Sequence, residues 1–342
     1  MAGETVLVTG ATGFIASHTV LALLKKGYNV RGTARSAASA PKLTETLSAY
    51  AGEPVNIEIF EADLMKDDGW AEAVEGCTYV HHIASPIPSN LPKDANELII
   101  PARDGALRAL KASKAAGVKR VVLTSSVAAI AYGWGDARPN PLTEEHWTNP
   151  DNHKDNTVYT RSKVIAERAA WDYVNGEGKG LELATINPVA VLGPVMSGDF
   201  STSIEIVTQL MSGKIPAVPR VGFQIVDVRD VADLHVKAME VPEAAGERFI
   251  AADEFYWFAR LGEELAEAYP AYAKRIPSRG LPNGLVRFAA MFNPVLKQIL
   301  PELGKQRNAS NEKARTLLDW TPIPAFEAAK ASADSLIKHG VI

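Results

Sequence analysis

Residues 5–17 read Thr5-Val6-Leu7-Val8-Thr9-Gly10-Ala11-Thr12-Gly13-Phe14-Ile15-Ala16-Ser17. Thr5 to Thr9 is a short β-branched and apolar run that predicts a buried strand. Phe14 to Lys26 predicts a helix, stopped by Gly27 just past its last turn. A glycine loop joins the two. A dinucleotide site needs small residues there: the turn is tight, a pyrophosphate must approach the backbone, and the helix must pack close to the strand. Gly10 and Gly13 meet the first two needs and Ala16 the third. The helix N-terminus then offers unpaired N–H groups and a positive dipole end to phosphates. Thr9, Gly10, Thr12, Gly13, Phe14 and Ile15 are therefore candidate cofactor contacts.

Outward from this loop the chain keeps the same rhythm. Strand-like runs recur at Tyr28–Ala34, Val55–Glu61, Tyr79–Ala84, Val121–Ser125 and Leu181–Asn187, with helix-like stretches at about 67–75, 95–116 and 157–175. Apolar runs without strict alternation fit strands covered on both faces. The expected fold is α/β, a Rossmann-type doubly wound parallel sheet. After about residue 190 prolines and glycines break the rhythm, and Phe255 to Pro301 is helix-rich behind an aromatic cluster. Residues 1–190, with a strand at Gln224–Val228 and a helix at Arg229–Glu240 returning to the main sheet, are expected to form the cofactor domain. About 191–223 and 241–342 are expected to form a smaller C-terminal substrate lobe.

The end of the second strand selects the cofactor. An NAD site commonly places an acid there to accept from the ribose 2′-OH. Here the stretch is Gly32-Thr33-Ala34-Arg35-Ser36. Arg35 suits a charge-assisted fork with a 2′-phosphate, and Lys42 adds a second cation, so NADPH is expected over NAD.

Tyr159 and Lys163 stand four apart at the start of a helical stretch and share one face. A lysine ammonium beside a phenol favours the phenolate, which tunes tyrosine for proton transfer near neutral pH. The strand Val121–Ser125 ends in hydroxyls (Thr124, Ser125, Ser126) at its C-terminal tip, where open α/β sheets place ligands. One serine can hydrogen-bond and polarise a substrate oxygen. Adjacent strand residues face opposite ways, so only one of Ser125 and Ser126 can do so. Thr124 at the same tip is grouped with the cofactor contacts.

The glycine loop, the TSS strand end and the YTRSK segment, in this order and spacing, resemble the extended short-chain dehydrogenase/reductases. GFIAS, RGTARS, HHIASP, VVLTSS and INPVAVLGP more closely resemble the dihydroflavonol reductase-like branch, which includes microbial NADPH-dependent aldehyde, ketone and methylglyoxal reductases. The likeness spans nearly the whole chain, and alanine at position 16 is familiar in the branch. It implies Tyr159 as proton donor, Lys163 as the residue that lowers the tyrosine pKa and holds the nicotinamide ribose, and Ser126 as the serine that steadies the carbonyl. It also implies Asp63 and Leu64 at the adenine, Ala84 and Ser85 near the nicotinamide ribose, and Pro188 and Val189 near the nicotinamide ring. Cinnamoyl-CoA reductases resemble the same branch but carry an NWYCY-type signature before the lysine. Here that stretch is Asn156-Thr157-Val158-Tyr159, which argues against a CoA thioester.

The implied activity is hydride transfer from NADPH to the carbonyl of an aldehyde or ketone. Candidate pocket walls are Pro86, Ile87, Val127, Tyr132, Trp134, Val189, Phe200 and Phe223, apolar or aromatic residues that favour a hydrophobic substrate. Two other readings compete: an NAD-dependent nucleotide-sugar epimerase or dehydratase, and an NADP(H)-binding sensor without turnover. Arg35 and the lack of a basic residue in Gly222-Phe223-Gln224 oppose the first; retention of both Tyr159 and Lys163 opposes the second.

His81 and His82 face opposite ways on a strand, so no shared metal ion is expected. Asp227, Asp230 and Asp233 read as strand-end and helix-start residues, and Glu144, Glu145 and His146 as a surface loop. The net charge of −4 gives no basic face for nucleic acid, and Lys, Gly or Pro interrupts every apolar run before it reaches a membrane span. Cys77 is the only cysteine, so neither an internal disulfide nor a cysteine metal site is available. Met1 to Glu4 leads straight into a strand, so no signal peptide is expected, and a cytoplasmic location follows. The expected partner is a small carbonyl substrate, with the chain a monomer or homodimer.

Overall fold

The computed structural model describes residues 3–86, 94–197, 203–277, 279–292 and 294–342. Ile87 and Phe200, two expected pocket residues, lie outside the described residues. The first half alternates β1 (Thr5–Val8), α1 (Phe14–Lys25), β2 (Asn29–Ala34), α2 (Ala40–Ala51), β3 (Glu58–Glu61), α3 (Trp70–Val74), β4 (Tyr79–His82), α4 (Asn96–Ala115), β5 (Arg120–Thr124), α5 (Val158–Asn175) and β6 (Glu182–Pro188). The second half runs β7 (Ala190–Leu192), α6 (Glu205–Met211), β8 (Val218–Pro219), β9 (Gly222–Asp227), α7 (Val228–Glu240) and β10 (Arg248–Ala251). It closes with β11 (Phe255–Trp257), α8 (Phe258–Ala268), β12 (Gly280–Leu281), α9 (Asn283–Ala289), α10 (Pro294–Ile299), α11 (Glu312–Leu318) and α12 (Ala325–Lys338).

Seven parallel strands form the main sheet in the order β3-β2-β1-β4-β5-β6-β10. Successive strand residues point to opposite faces. Val6 and Val8 accordingly enter one core with Val20 and Leu23 of α1 and Val231 and Leu234 of α7, while Leu7 enters the other with Leu110 of α4 and Val174 of α5. Helices on both faces explain why these strands read as nearly unbroken apolar runs. The strand order reverses between β1 and β4, and ligands of such sheets bind at the carboxyl ends beside that switch point.

Two placements differ from the expected domain division. The strand at Gln224–Val228 does not return to the main sheet: β9 pairs in parallel with β7 and antiparallel with β11 in a second, three-stranded sheet. Its helix α7 does pack on the main sheet, against α1. The strand that completes the main sheet is β10, inside the segment expected to be substrate lobe; Arg248–Ala251 pairs with Thr185–Pro188 of β6. Sequence cannot separate these two short apolar runs, because the choice of sheet is made by pairing partners far away in the chain.

The lobe is tied to the sheet half by a buried ionic knot. Arg307 donates to Asp155 at 2.8 Å, Glu302 at 3.1 Å and the Ala131 carbonyl at 2.7 Å. Its guanidinium lies 4.2 Å from the centroid of the Tyr132 ring. Lys305 adds a bond to Asp155 at 2.6 Å.

Candidate active site

The glycine loop is shaped by steric need. Gly10 has φ of +64°, and a Cβ there would sit 3.0 Å from the Ala84 Cβ, so the left-handed turn and the close approach both demand glycine. The Gly13 amide donates to the Gly10 carbonyl at 2.8 Å, and Gly13 begins α1 with no side-chain cap. The first-turn amides of this 12-residue helix therefore keep their donors for a ligand at the strand tips. Gly32 lets β2 press on the loop, since a Cβ there would meet Ala11 at 2.7 Å.

Thr12 is exposed on the loop, and Phe14 and Ile15 are half-buried at the helix start. Thr9 stands behind them, fully buried: its hydroxyl oxygen accepts from the amides of Ile83 and Ala84, each at 3.0 Å, and meets His82 Nδ1. Its side chain thus pins the end of β4 and is not directed at a ligand. Arg35 is exposed at the end of β2, and Lys42 is exposed in the first turn of α2. The Asp63 carboxylate caps its own turn through the Met65 amide at 2.8 Å, while Leu64 packs on Gly105 of α4.

Helix α5 begins with a capping box: Thr157 accepts from the Thr160 amide, and Thr160 accepts from the Thr157 amide. This fixes the first turn, which carries Tyr159. Tyr159 is 38% exposed, at the mouth of the site. Lys163, one turn on, is buried; its Nζ donates to Ser85 Oγ at 2.8 Å and lies 5.6 Å from the centroid of the Tyr159 ring. Pro86 follows Ser85 and is half-buried.

At the tip of β5 the two serines separate. Ser125 Oγ donates to the buried carboxylate of Glu167. Ser126 caps the turn Val127–Ala129, its Oγ accepting from the Ala128 amide at 3.1 Å, and α5 packs on that turn. That bond uses a lone pair and leaves the Ser126 O–H as a donor. Thr124 is spent elsewhere, against His235 Nε2 at 2.9 Å.

Behind Thr124 runs a buried chain of groups. His81 Nε2 lies 3.2 Å from the Met239 sulfur, which can only accept, so His81 carries its proton there. His81 Nδ1 then accepts from His235 Nδ1 at 3.2 Å, and His235 Nε2 accepts from Thr124. Burial pushes His81 down to about 3 and drives His235 well below the usual imidazole range, His81 adding to the latter. Burial, and to a lesser degree Lys163, pushes His82 down to about 4. His81 and His82 do face opposite ways, toward His235 and toward Thr9. No cluster of three or more metal-binding side chains occurs among the described residues.

Pro188 is buried at the end of β6, and the Val189 amide donates to the Ala251 carbonyl of β10 at 3.1 Å. Val127, Tyr132, Trp134 and Val189 share one apolar cluster with Ile130, Leu142 and Ile250. Phe223 is not with them; it packs on Phe258, ring centroids 5.8 Å apart, in a cluster of the C-terminal lobe. Glu144 departs from the surface loop expected for it. It is 6% exposed, its carboxylate accepting from the Ile250 amide at 3.0 Å and its carbonyl accepting from Arg248. Asp227 caps α7 through the Arg229 amide at 2.8 Å, as its strand-end reading implies.

The family model described as the NAD dependent epimerase/dehydratase family matches residues 6–252, from β1 through β10. The chain belongs to this family. Among curated relatives of this epimerase/dehydratase member, cinnamoyl-CoA reductase CAD2 of Medicago truncatula is 35% identical over 79% of this chain and 82% of its own length. Dihydroflavonol 4-reductase of Zea mays is 34% identical over 84% and 81%, and ketoreductase azaE of Aspergillus niger 34% over 82% and 87%. Among solved structures, yeast methylglyoxal/isovaleraldehyde reductase Gre2 complexed with NADPH superposes with a TM-score of 0.79 at 30% identity, covering 99% of this chain and 100% of that one. The resemblance to extended short-chain dehydrogenase/reductases of the dihydroflavonol reductase-like branch is borne out by these matches. No helix of the described residues is long and apolar enough to cross a membrane.

Proposed function

We propose that this chain is an NADPH-dependent reductase of aldehyde or ketone carbonyls, favouring hydrophobic or aromatic substrates. The observation that carries this reading is the meeting of Tyr159 with the buried ammonium of Lys163, which is anchored on Ser85, the neighbour of the Ala84 that Gly10 touches. The glycine loop fits a dinucleotide by its left-handed turn, its close contact with Ala84 and its uncapped helix start. Arg35 and Lys42, at the end of β2 and the start of α2, suit the 2′-phosphate that distinguishes NADPH. Asp63, Leu64, Ala84, Ser85, Pro188 and Val189 line the remaining path across the strand tips. Bound there, NADPH supplies the reducing equivalent.

The chain's own residues do the rest. Tyr159, with the Lys163 ammonium beside its ring, gives its proton to the substrate oxygen. Ser126 donates a hydrogen bond to that same oxygen and stabilises the charge that develops on it. Val127, Tyr132, Trp134 and Pro86 are assigned to the apolar wall around the substrate, and Phe223 to the lobe side. Asn156-Thr157-Val158-Tyr159 stands where an NWYCY-type signature marks cinnamoyl-CoA reductases, which places free aldehydes and ketones ahead of CoA thioesters.

The test is a panel of aldehydes, ketones and cinnamoyl-CoA assayed with NADPH and NADH in parallel. Consumption of NADPH with free carbonyls is expected. Tightly co-purified NAD with turnover of nucleotide sugars would replace this reading by an epimerase, and no turnover of any kind by a sensor.

A further inference from the structure

Beneath the proposed site a buried carboxylate collects an unusual set of donors. Glu167 is 1% exposed and lies on α5 four residues beyond Lys163, as Lys163 lies four beyond Tyr159. Its Oε2 accepts from Ser125 Oγ and from Asn187 Nδ2, the latter at 2.7 Å. Its Oε1 accepts from Arg248 Nε at 2.6 Å, with Thr185 Oγ1 at 3.3 Å and Trp171 Nε1 at 3.4 Å. A carboxylate has room for about four such bonds, so its capacity is filled by groups from β5, β6, β10 and its own helix.

Asn187 extends this arrangement to Ser126. An amide NH2 has two hydrogens; one goes to Glu167 and the other to the Ser126 carbonyl at 3.1 Å. Both partners of the NH2 can only accept, which fixes which end of the amide is which; its Oδ1 lies 3.2 Å from Thr185 Oγ1, whose single proton serves either Asn187 or Glu167. Ser125 is therefore drawn into the core by its side chain while Ser126 is held by its backbone. Neighbouring residues of an extended strand end present opposite faces, so anchoring Ser125 inward turns the Ser126 hydroxyl outward. Two chemically identical side chains are sorted into different roles by one acid and one amide.

We infer that Glu167 and Asn187 are positioning residues that act through Ser126, holding its hydroxyl at the substrate side. The inference rests on the proposed role of Ser126. A purely structural role for the network would lower activity by loosening the whole site, whatever occupies position 126. A positioning role disappears once Ser126 has no hydroxyl to position.

The experiment is a set of double-mutant cycles. Ser125→Ala, Asn187→Leu and Glu167→Gln are each made alone and with Ser126→Ala, and kcat and the KM for NADPH are measured with a reducible carbonyl. Ser125→Ala removes only the inward anchor, and Asn187→Leu removes both donors at similar volume. These two keep the test open if Glu167→Gln, which leaves Arg248 beside a neutral amide, fails to fold. Asn187→Leu and Glu167→Gln should lower kcat by about tenfold, Ser125→Ala by about threefold, all with the KM for NADPH nearly unchanged. In the Ser126→Ala background each should cost less than about twofold, since coupled residues are not additive. Equal losses in both backgrounds would overturn the positioning role and leave the role of Ser126 standing. A Ser126→Ala enzyme with undiminished kcat would overturn the role of Ser126 itself, and this inference with it.

Discussion

Lys163 Nζ donates to Ser85 Oγ at 2.8 Å, bridging α5 and the segment that leaves β4. Lys163 is buried, yet this bond holds its charge in place before any ligand enters. The ammonium therefore acts on a Tyr159 ring 5.6 Å away from a fixed point.

Replacing Tyr159 by Phe removes the proposed proton donor and leaves the ring. Turnover should fall by about 10²- to 10⁴-fold, the usual contribution of a positioned acid. NADPH affinity, followed by fluorescence titration, should change little. Near-wild-type turnover in this variant would remove Tyr159 from the mechanism.

Arg35→Ala tests the cofactor choice. A charge-assisted bond contributes about 1.5–3 kcal/mol, so NADPH binding should weaken by roughly 10- to 100-fold. NADH, which has no 2′-phosphate, should be little affected. A comparable loss for both cofactors would disconnect Arg35 from the 2′ position.

The buried histidines predict acid sensitivity. Burial pushes His18 and His82 down to about 4 and His81 to about 3, with His235 also well below 6.5. Between about 4 and 6.5 the unfolded chain binds protons on these residues that the folded protein does not. Stability is thus fully present above about 6.5 and is lost as pH falls through that window. Asp230, raised to about 7 chiefly by burial, works the other way, because its folded form holds a proton that the unfolded chain releases. Glu144 and Asp233, also raised by burial, act in the same direction as Asp230, but the four lowered histidines outnumber these three carboxylates, so the thermal midpoint should drop from pH 6.5 to 4. A flat profile there would show that the imidazoles charge in the folded state.

Arg307→Met tests the knot between lobe and sheet. Removing the arginine leaves buried Glu302 without its ion partner and Asp155 with Lys305 alone, at a cost of up to about 3–5 kcal/mol. Urea denaturation should show this loss. Because Asp155, two residues before the Thr157 cap of α5, also accepts from the Gly133 amide at 3.0 Å, turnover should fall as well. An unchanged midpoint would mean that the knot contributes no net stability.

Local patterns made much of this legible in the sequence. The glycine loop, the four-residue step from Tyr159 to Lys163 and the apolar runs of β1 to β6 are all short-range signals, and each occupies the expected place. What sequence reading missed depends on distant partners. Glu144 looks like a loop residue until Arg248 and the Ile250 amide of β10 come to meet it. Glu167 continues the Tyr159–Lys163 step along one helix face, but its donors arrive from β5, β6 and β10. A charged residue three positions from both Val164 and Ala170, on the apolar side of the helix, is the available clue. Phe223 belongs with the lobe because β9 joins the second sheet, a choice that no local propensity encodes.

The return of β10 to the edge of the main sheet has a consequence for dissecting the protein. A fragment ending at α7 would contain every glycine-loop residue and every residue proposed for catalysis, yet it would strip β6 of its outer neighbour. Four residues, Thr185 to Pro188, would then present raw strand edge, and Glu167 would lose the arginine that neutralises it. Such an edge recruits other chains. The nucleotide half of this molecule therefore does not end at α7: its last strand comes after one further turn, and a cut must fall beyond Ala251 to leave β6 covered.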